Sequence, residues 1–150
     1  MESSTENENL IAYCGLYCGD CHGYQQKIAD MARDLRKELR QTNFKKFADF
    51  IGGNSFGKAY QNYDQCYEVL GAMVKFRCHK GCRARGGPPF CKMRLCCQKK
   101  GYDGCWECPE FETCAKLDFL KPVHDDGHIK NLKLLKKKGT QEFTKSKRFW

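Results

Sequence analysis

Twelve cysteines in a chain of 150 residues constrain what this protein can fold into more than any other feature. In a reducing compartment so many thiols do not stay idle. They bind metal or lie buried, and where the surroundings oxidise they pair as disulfides. Residues 1–9 are polar and acidic, with neither the basic start nor the apolar run of a secretory leader. No stretch approaches the roughly 20 apolar residues that a membrane-spanning helix needs. The expectation is a cytoplasmic chain without membrane association, its thiolates on metal rather than in disulfides.

The spacing of the cysteines sharpens this. Cys14, Cys18 and Cys21 form a C-x3-C-x2-C run, and Cys78 and Cys82, Cys91, Cys96 and Cys97, Cys105 and Cys108, and Cys114 follow in the second half. Two to four residues between cysteines let a tight turn present both sulfurs to one ion at about 2.3 Å, the local geometry of a zinc knuckle. Ten cysteines therefore form the candidate metal set: Cys14, Cys18, Cys21, Cys78, Cys82, Cys91, Cys96, Cys105, Cys108 and Cys114. They suffice for two four-thiolate zinc sites with two thiols to spare, or for three-thiolate sites completed by His22 or His79. Neighbouring side chains diverge on most backbones, so one of Cys96 and Cys97 is expected not to ligate; the set leaves out Cys97 and Cys66. A [4Fe-4S] cluster also takes four thiolates, and Cys108-Pro109 echoes the cysteine-proline ending of bacterial ferredoxins, so an iron–sulfur centre is the alternative cofactor. C-x3-C-x2-C is also the cluster motif of radical S-adenosylmethionine enzymes. Asp20, however, stands where those enzymes carry an aromatic, and residues 22–76 supply no strands for their barrel.

Between the cysteine runs the pattern is helical. Ile28, Met31, Ala32, Leu35 and Leu39 recur at three- and four-residue steps and predict one amphipathic helix. A second, carrying Phe44, Phe47, Phe50 and Ile51, follows a break near Thr42-Asn43 and ends at Gly52-Gly53. Asn54 or Ser55 is then expected to cap a third, whose stripe of Phe56, Tyr60, Tyr63, Tyr67, Leu70 and Val74 reads as core packing. Cys66 falls on that side and is expected to be a buried, inert thiol. Residues 78–114 hold few aliphatic side chains and are not expected to fold on hydrophobic burial alone. Asp125 and Asp126 are placed to cap a last helix with Ile129, Leu132 and Leu135 on its apolar side and Gly139 at its end. His124 and His128 read as solvated on that helix.

The predicted architecture is mainly α: a frayed tail over 1–9, then a single domain over 10–150. In it a small helical part, about 22–76, packs on an irregular, cysteine-rich, metal-stapled lobe, about 77–118, with a C-terminal helix at about 125–138.

The formal charge of +9 is unevenly spread, with 8 basic and 10 acidic side chains in residues 1–74 against 19 and 8 in residues 75–150. A divalent ion with four thiolates is a −2 centre, so two such centres would lower the net charge to about +5. Part of the excess then neutralises sulfur. The rest permits an acidic protein or a nucleic acid as partner, met by Arg83, Arg85, Lys92, Arg94, Lys99 and Lys100, with Phe90, Trp106 and Phe111 available to stack on bases.

The runs 13–21 (YCGLYCGDC), 81–83 (GCR), 91–96, 105–111 (CWECPEF) and 114–117 (CAKL), with the helix 126–132 behind them, resemble the domain of unknown function 3795 family. This is a set of small cysteine-rich proteins of bacteria and archaea. The resemblance implies zinc binding by the ten-cysteine set and supplies neither an established activity nor a catalytic residue. The chain departs from the family pattern in C-x3-C at Cys78 and Cys82 and in its extra Cys66 and Cys97. No nucleophile stands paired with a base at readable spacing. The functional expectation is a zinc-binding interaction module, the alternatives being an iron–sulfur electron carrier or redox sensor and a nucleic-acid-binding module.

Overall fold

The structure, a computed structural model, describes residues 6–150, so the expectation for residues 1–5 of the tail lies outside it. Residues 6–8 are helical, and Thr140 donates a hydrogen bond to the Glu8 carboxylate. The described residues contain helices and turns and no strand beyond one isolated antiparallel bridge, Ile11 to Tyr17. Five α-helices among the described residues exceed one turn: α1 (Lys27–Gln41), α2 (Phe44–Gly52), α3 (Tyr63–Lys75), α4 (Lys92–Lys100) and α5 (Gly127–Lys145). The mainly α class follows from these.

The chain divides into two compact units. One holds residues 25–77; the other joins 1–24 to 78–150. The first cysteine run thus belongs with the cysteine-rich lobe and with α5.

In the unit Gln25–Arg77, α1 lies along α3, and α2 lies along a 3-10 stretch, Ser55–Asn62. Asn43, at φ +54, makes the left-handed turn that separates α1 from α2 at the predicted break, and α2 ends at Gly52 as its glycine pair suggests. The third helix differs from expectation. The 3-10 stretch replaces its first two turns, leaving Phe56 79% exposed, and the aromatic stripe is not a core. On α1 the packed face is also rotated from the predicted one. Ala29 and Ala32 are buried while Met31 and Leu35 face outward, because small side chains let the helices approach closely. Cys66 is exposed, which corrects its reading as a buried thiol. Gly57 permits a close contact within this unit, since a β-carbon there would lie 2.0 Å from the Ile51 carbonyl oxygen.

In the other unit, Ile11, Trp106, Phe111, Leu132, Leu135 and Phe143 share one buried core. Complete burial of a side chain such as Leu132 or Phe143 contributes about 1.5–3 kcal/mol, so sulfur does not hold this lobe alone. Residues 78–114, expected not to fold on hydrophobic burial alone, thus share an apolar core with residues outside the segment. The core's buried aliphatic side chains, Ile11, Leu16, Leu117, Leu120, Leu132 and Leu135, all lie outside residues 78–114. Gly139, at φ +79 and ψ 172, ends the first part of α5 where an end was expected, and a second helical stretch follows to Lys145. His128 is fully buried in α5 and His124 ends a separate one-turn helix, Lys121–His124, so the reading of both as solvated on one helix is also corrected.

Candidate metal centre

The first cysteine run is a doubled-back loop. The amide of Ala12 donates to the Leu16 carbonyl (2.8 Å) and that of Cys18 to the Leu10 carbonyl (2.7 Å), with Gly15 at φ +87 making the bend. Gly15 also rests on α5, where a β-carbon would lie 2.8 Å from Cγ of Leu132. The helix thereby positions Cys14 and Cys18.

A 3-10 turn over Cys18–Asp20 then closes with the Cys21 amide donating to the Cys18 carbonyl at 3.0 Å. Cys105–Glu107 repeats it, closing from Cys108 to Cys105 at 3.1 Å. Cys21 and Cys108 even share backbone angles, φ −74 and ψ 128. Both C-x2-C runs therefore carry one local geometry, and in both the turn sets two sulfurs a few residues apart on one side.

Tertiary contacts sort the thiols into neighbourhoods. The amide of Cys78 donates to the Gly23 carbonyl at 2.9 Å, which joins the points where the chain leaves and re-enters this unit. The amide of Cys82 donates to the sulfur of Cys18 at 3.3 Å. Burial pushes the Cys18 thiol up to about 11, the Cys82 amide opposes this, and the neighbouring sulfurs of Cys82, Cys21 and Cys78 add to the rise. Cys18, Cys21, Cys78 and Cys82 thus form a first group. Gly86 makes room beside it, since a β-carbon there would lie 2.9 Å from the Cys78 sulfur and 1.6 Å from the Lys80 carbonyl oxygen.

A second group, Cys96, Cys97, Cys105, Cys108 and Cys114, lines a small cavity of about 20 Å3 together with Met93, Phe111 and Leu117. Cys97 and Cys105 are buried with their sulfurs 3.6 Å apart. The proton they share lowers the Cys97 thiol and raises that of Cys105. Cys14 stands between the groups, acted on by Cys82 and Cys91, and burial drives its thiol up to about 12. Among the described residues, no three Cys, His, Asp or Glu side chains are already arranged to hold a metal ion. The ten-cysteine set is gathered into neighbourhoods, then, but not converged on a point.

Each group has a cation close by. Arg94, 4% exposed, donates to the carbonyls of Cys82 (3.1 Å), Gly86 (2.8 Å), Pro88 (2.9 Å) and Pro89 (3.3 Å). Among the described residues it forms no ion pair with a carboxylate, and its charge acts on the Cys82 thiol. Arg83 donates to the Ile11 carbonyl (2.9 Å) and the Asp103 carbonyl (2.7 Å), stacks over Tyr13 and acts on Cys97. Lys100 gains basicity from Cys108 and then Cys96.

A sequence profile for proteins of unknown function in the domain of unknown function 3795 family matches residues 10–119, a stretch that holds every cysteine of the chain. The chain belongs to this family. No curated protein and no solved structure matches it.

The family-type cysteine runs are thus the parts of the chain that fold into the two groups. Several sequence expectations stand differently within them. Arg94 is an internal organiser of the loop 82–89 and not a surface contact, and Trp106 and Phe111 are buried, so neither can stack on a base. Phe90 remains exposed. His22 lies edge-on to Trp150, with ring centres 6.1 Å apart, and His79 is exposed. Reading the sequence did not anticipate the place of Cys97 beside Cys105 or the burial of Arg94. Nothing local marks either, because burial of a polar side chain is settled by distant neighbours.

Proposed function

We propose that this chain is a zinc-binding interaction module in which two thiolate groups hold structural ions. The first is Cys18, Cys21, Cys78 and Cys82. The second draws on Cys96, Cys105, Cys108 and Cys114, with Cys14 and Cys91 between them. One observation carries the reading: Arg94 is a buried cation bonded to carbonyls and to the Cys82 thiol, with no carboxylate partner among the described residues. A buried charge without a counter-ion is costly, and a four-thiolate zinc centre, at −2, supplies one. The raised thiols of Cys14 and Cys18 fit the same logic. Burial disfavours a thiolate until a divalent cation sits against the sulfur, and the ion then inverts the preference.

Single ions suit the second group better than a cluster. A cavity of about 20 Å3 has room for one guest the size of a water molecule or an ion. Loading requires the sulfurs to swing inward by rotation about their side-chain bonds. The interaction part of the reading draws on the unit Gln25–Arg77, which leaves Met31, Phe50, Phe56 and Phe76 exposed. Metal analysis of anaerobically purified protein tests the proposal. Close to two zinc ions per chain supports it; iron with acid-labile sulfide, or disulfides throughout without metal, overturns it.

A further inference from the structure

Residues 146–150 run as a strap beyond α5. The Asn131 side chain, fully buried, donates to the Phe149 carbonyl (2.7 Å) and accepts from the Phe149 amide (2.9 Å). Arg148 grips both carboxylate oxygens of Asp20 (2.8 and 3.1 Å) and lies over the Tyr17 ring, so the strap is tied to the loop between Cys18 and Cys21. Trp150 stands edge-on to His124, ring centres 4.8 Å apart. Gly127 is buried beneath Phe149 and Trp150, where a β-carbon would lie 3.4–3.6 Å from their atoms.

His128 lies in α5 just past Gly127. It has no solvent exposure, and neither of its ring nitrogens has a hydrogen-bond partner among the described residues; Nδ1 of His124 is equally buried and unpartnered. The charged and titratable groups acting on His128 are His124 and Lys121 from the preceding one-turn helix, Asp126 at the start of α5, and Asp118 from the 3-10 stretch Ala115–Leu120. Two of the four are basic, and neither carboxylate bonds to the ring. An imidazolium formed there would be a buried charge without a hydrogen-bond acceptor. It would need water, and the strap is an edge held chiefly by a few polar contacts.

We propose that residues 146–150 are an acid-released latch, closed while His128 and His124 are neutral and opened when they take up protons. Opening frees Asp20 and with it the first cysteine loop. The proposal does not depend on which metal, if any, the cysteines hold. Burial, followed for His128 by the nearby His124, lowers the basicity of both imidazoles, which fits the closed state at neutral pH. The sign follows from proton binding. Below the ordinary histidine value of about 6.5 the open state binds more protons than the closed one, so latch stability falls as the pH falls. Carboxylates ordinarily titrate near 4, so acidification from about 7 to about 5 chiefly reads imidazoles.

Hydrogen exchange on the full-length chain tests this, following the Phe149 amide across that range, corrected for intrinsic rates, with metal content measured at each pH. The native chain should lose Phe149 protection on acidification while amides in the middle of α5 keep theirs. His128→Gln and His128→Leu, one polar and one apolar, should each retain it. Should neither His128 variant fold, tryptic cleavage after Lys147 in the native chain, accelerating over the same range ahead of any loss of metal, serves as the second measurement. Protection that persists to pH 5, variants that open at the same pH as the native chain, or loss that coincides with unfolding of α5 would each overturn the latch.

Discussion

The amide of Cys82 donates a hydrogen bond to the sulfur of Cys18 at 3.3 Å, across 64 positions of sequence. This contact joins the first cysteine run to the second, and the chain between them, residues 25–77, forms the separate helical unit. A sulfur that accepts an amide hydrogen bond is prepared for negative charge.

Cys82→Ser and Cys18→Ser should each remove one of two metal equivalents and lower the midpoint of thermal unfolding, because an incomplete ligand set loses the folding free energy that the ion contributes. Cys66→Ser, at an exposed position outside both groups, should keep both equivalents and change stability by less than about 0.5 kcal/mol. Metal-to-protein ratios and melting curves on the three variants check this.

Arg94→Met should destabilise the chain by about 3 kcal/mol or more, since it strands the carbonyls of Cys82, Gly86, Pro88 and Pro89 and removes the buried cation beside the first thiol group. Arg94→Lys should not restore stability, because a lysine cannot bond four carbonyls through a planar fork. Denaturant midpoints of the metal-loaded variants decide it.

Two glycines separate crowding from backbone strain. Gly86→Ala would place a methyl 1.6 Å from the Lys80 carbonyl oxygen and should cost more than about 2 kcal/mol, with loss of metal from the first group. Gly101→Ala, at φ +70 after α4 with open space around it, should cost only about 1–2 kcal/mol and leave metal content intact. Unfolding curves with parallel metal assays distinguish them.

The raised thiols of Cys14, about 12, and Cys18, about 11, set a pH dependence for the metal-free chain. Their folded values lie above the ordinary thiol value of 9.0, so their contribution is complete below about 9 and is lost as the pH rises toward 11–12. The metal-loaded chain should show the opposite trend, losing ions and stability in acid as protons compete for thiolate. Melting temperature against pH, with and without metal, checks both.

Local chemistry was legible in the sequence. The break at Thr42-Asn43, the end at Gly52 and the two C-x2-C turns follow from residues that act on their own backbone. What depends on neighbours was not. The periodicity of α1 favoured Met31, Ala32 and Leu35 alike, yet Ala32 is buried with Ala29 while Met31 and Leu35 are exposed, because the closeness of α3 rewards small side chains and periodicity carries no information on closeness. Likewise the burial of Arg94 and His128 depends on the loop 82–89 and on the strap, far from either in local pattern. Spacing singled out the cysteines as a candidate metal set, whereas their sorting into two neighbourhoods needed the contacts of Gly23 with Cys78 and of Cys18 with Cys82.

X-ray absorption at the zinc edge on the full-length chain is the most direct test of thiolate-held zinc. The spectrum should show a first shell of four sulfurs at about 2.3 Å without nitrogen or oxygen neighbours. A shell of nitrogen and oxygen, an empty zinc edge beside an iron signal, or no bound metal in protein whose thiols are free and whose fold is intact would contradict it.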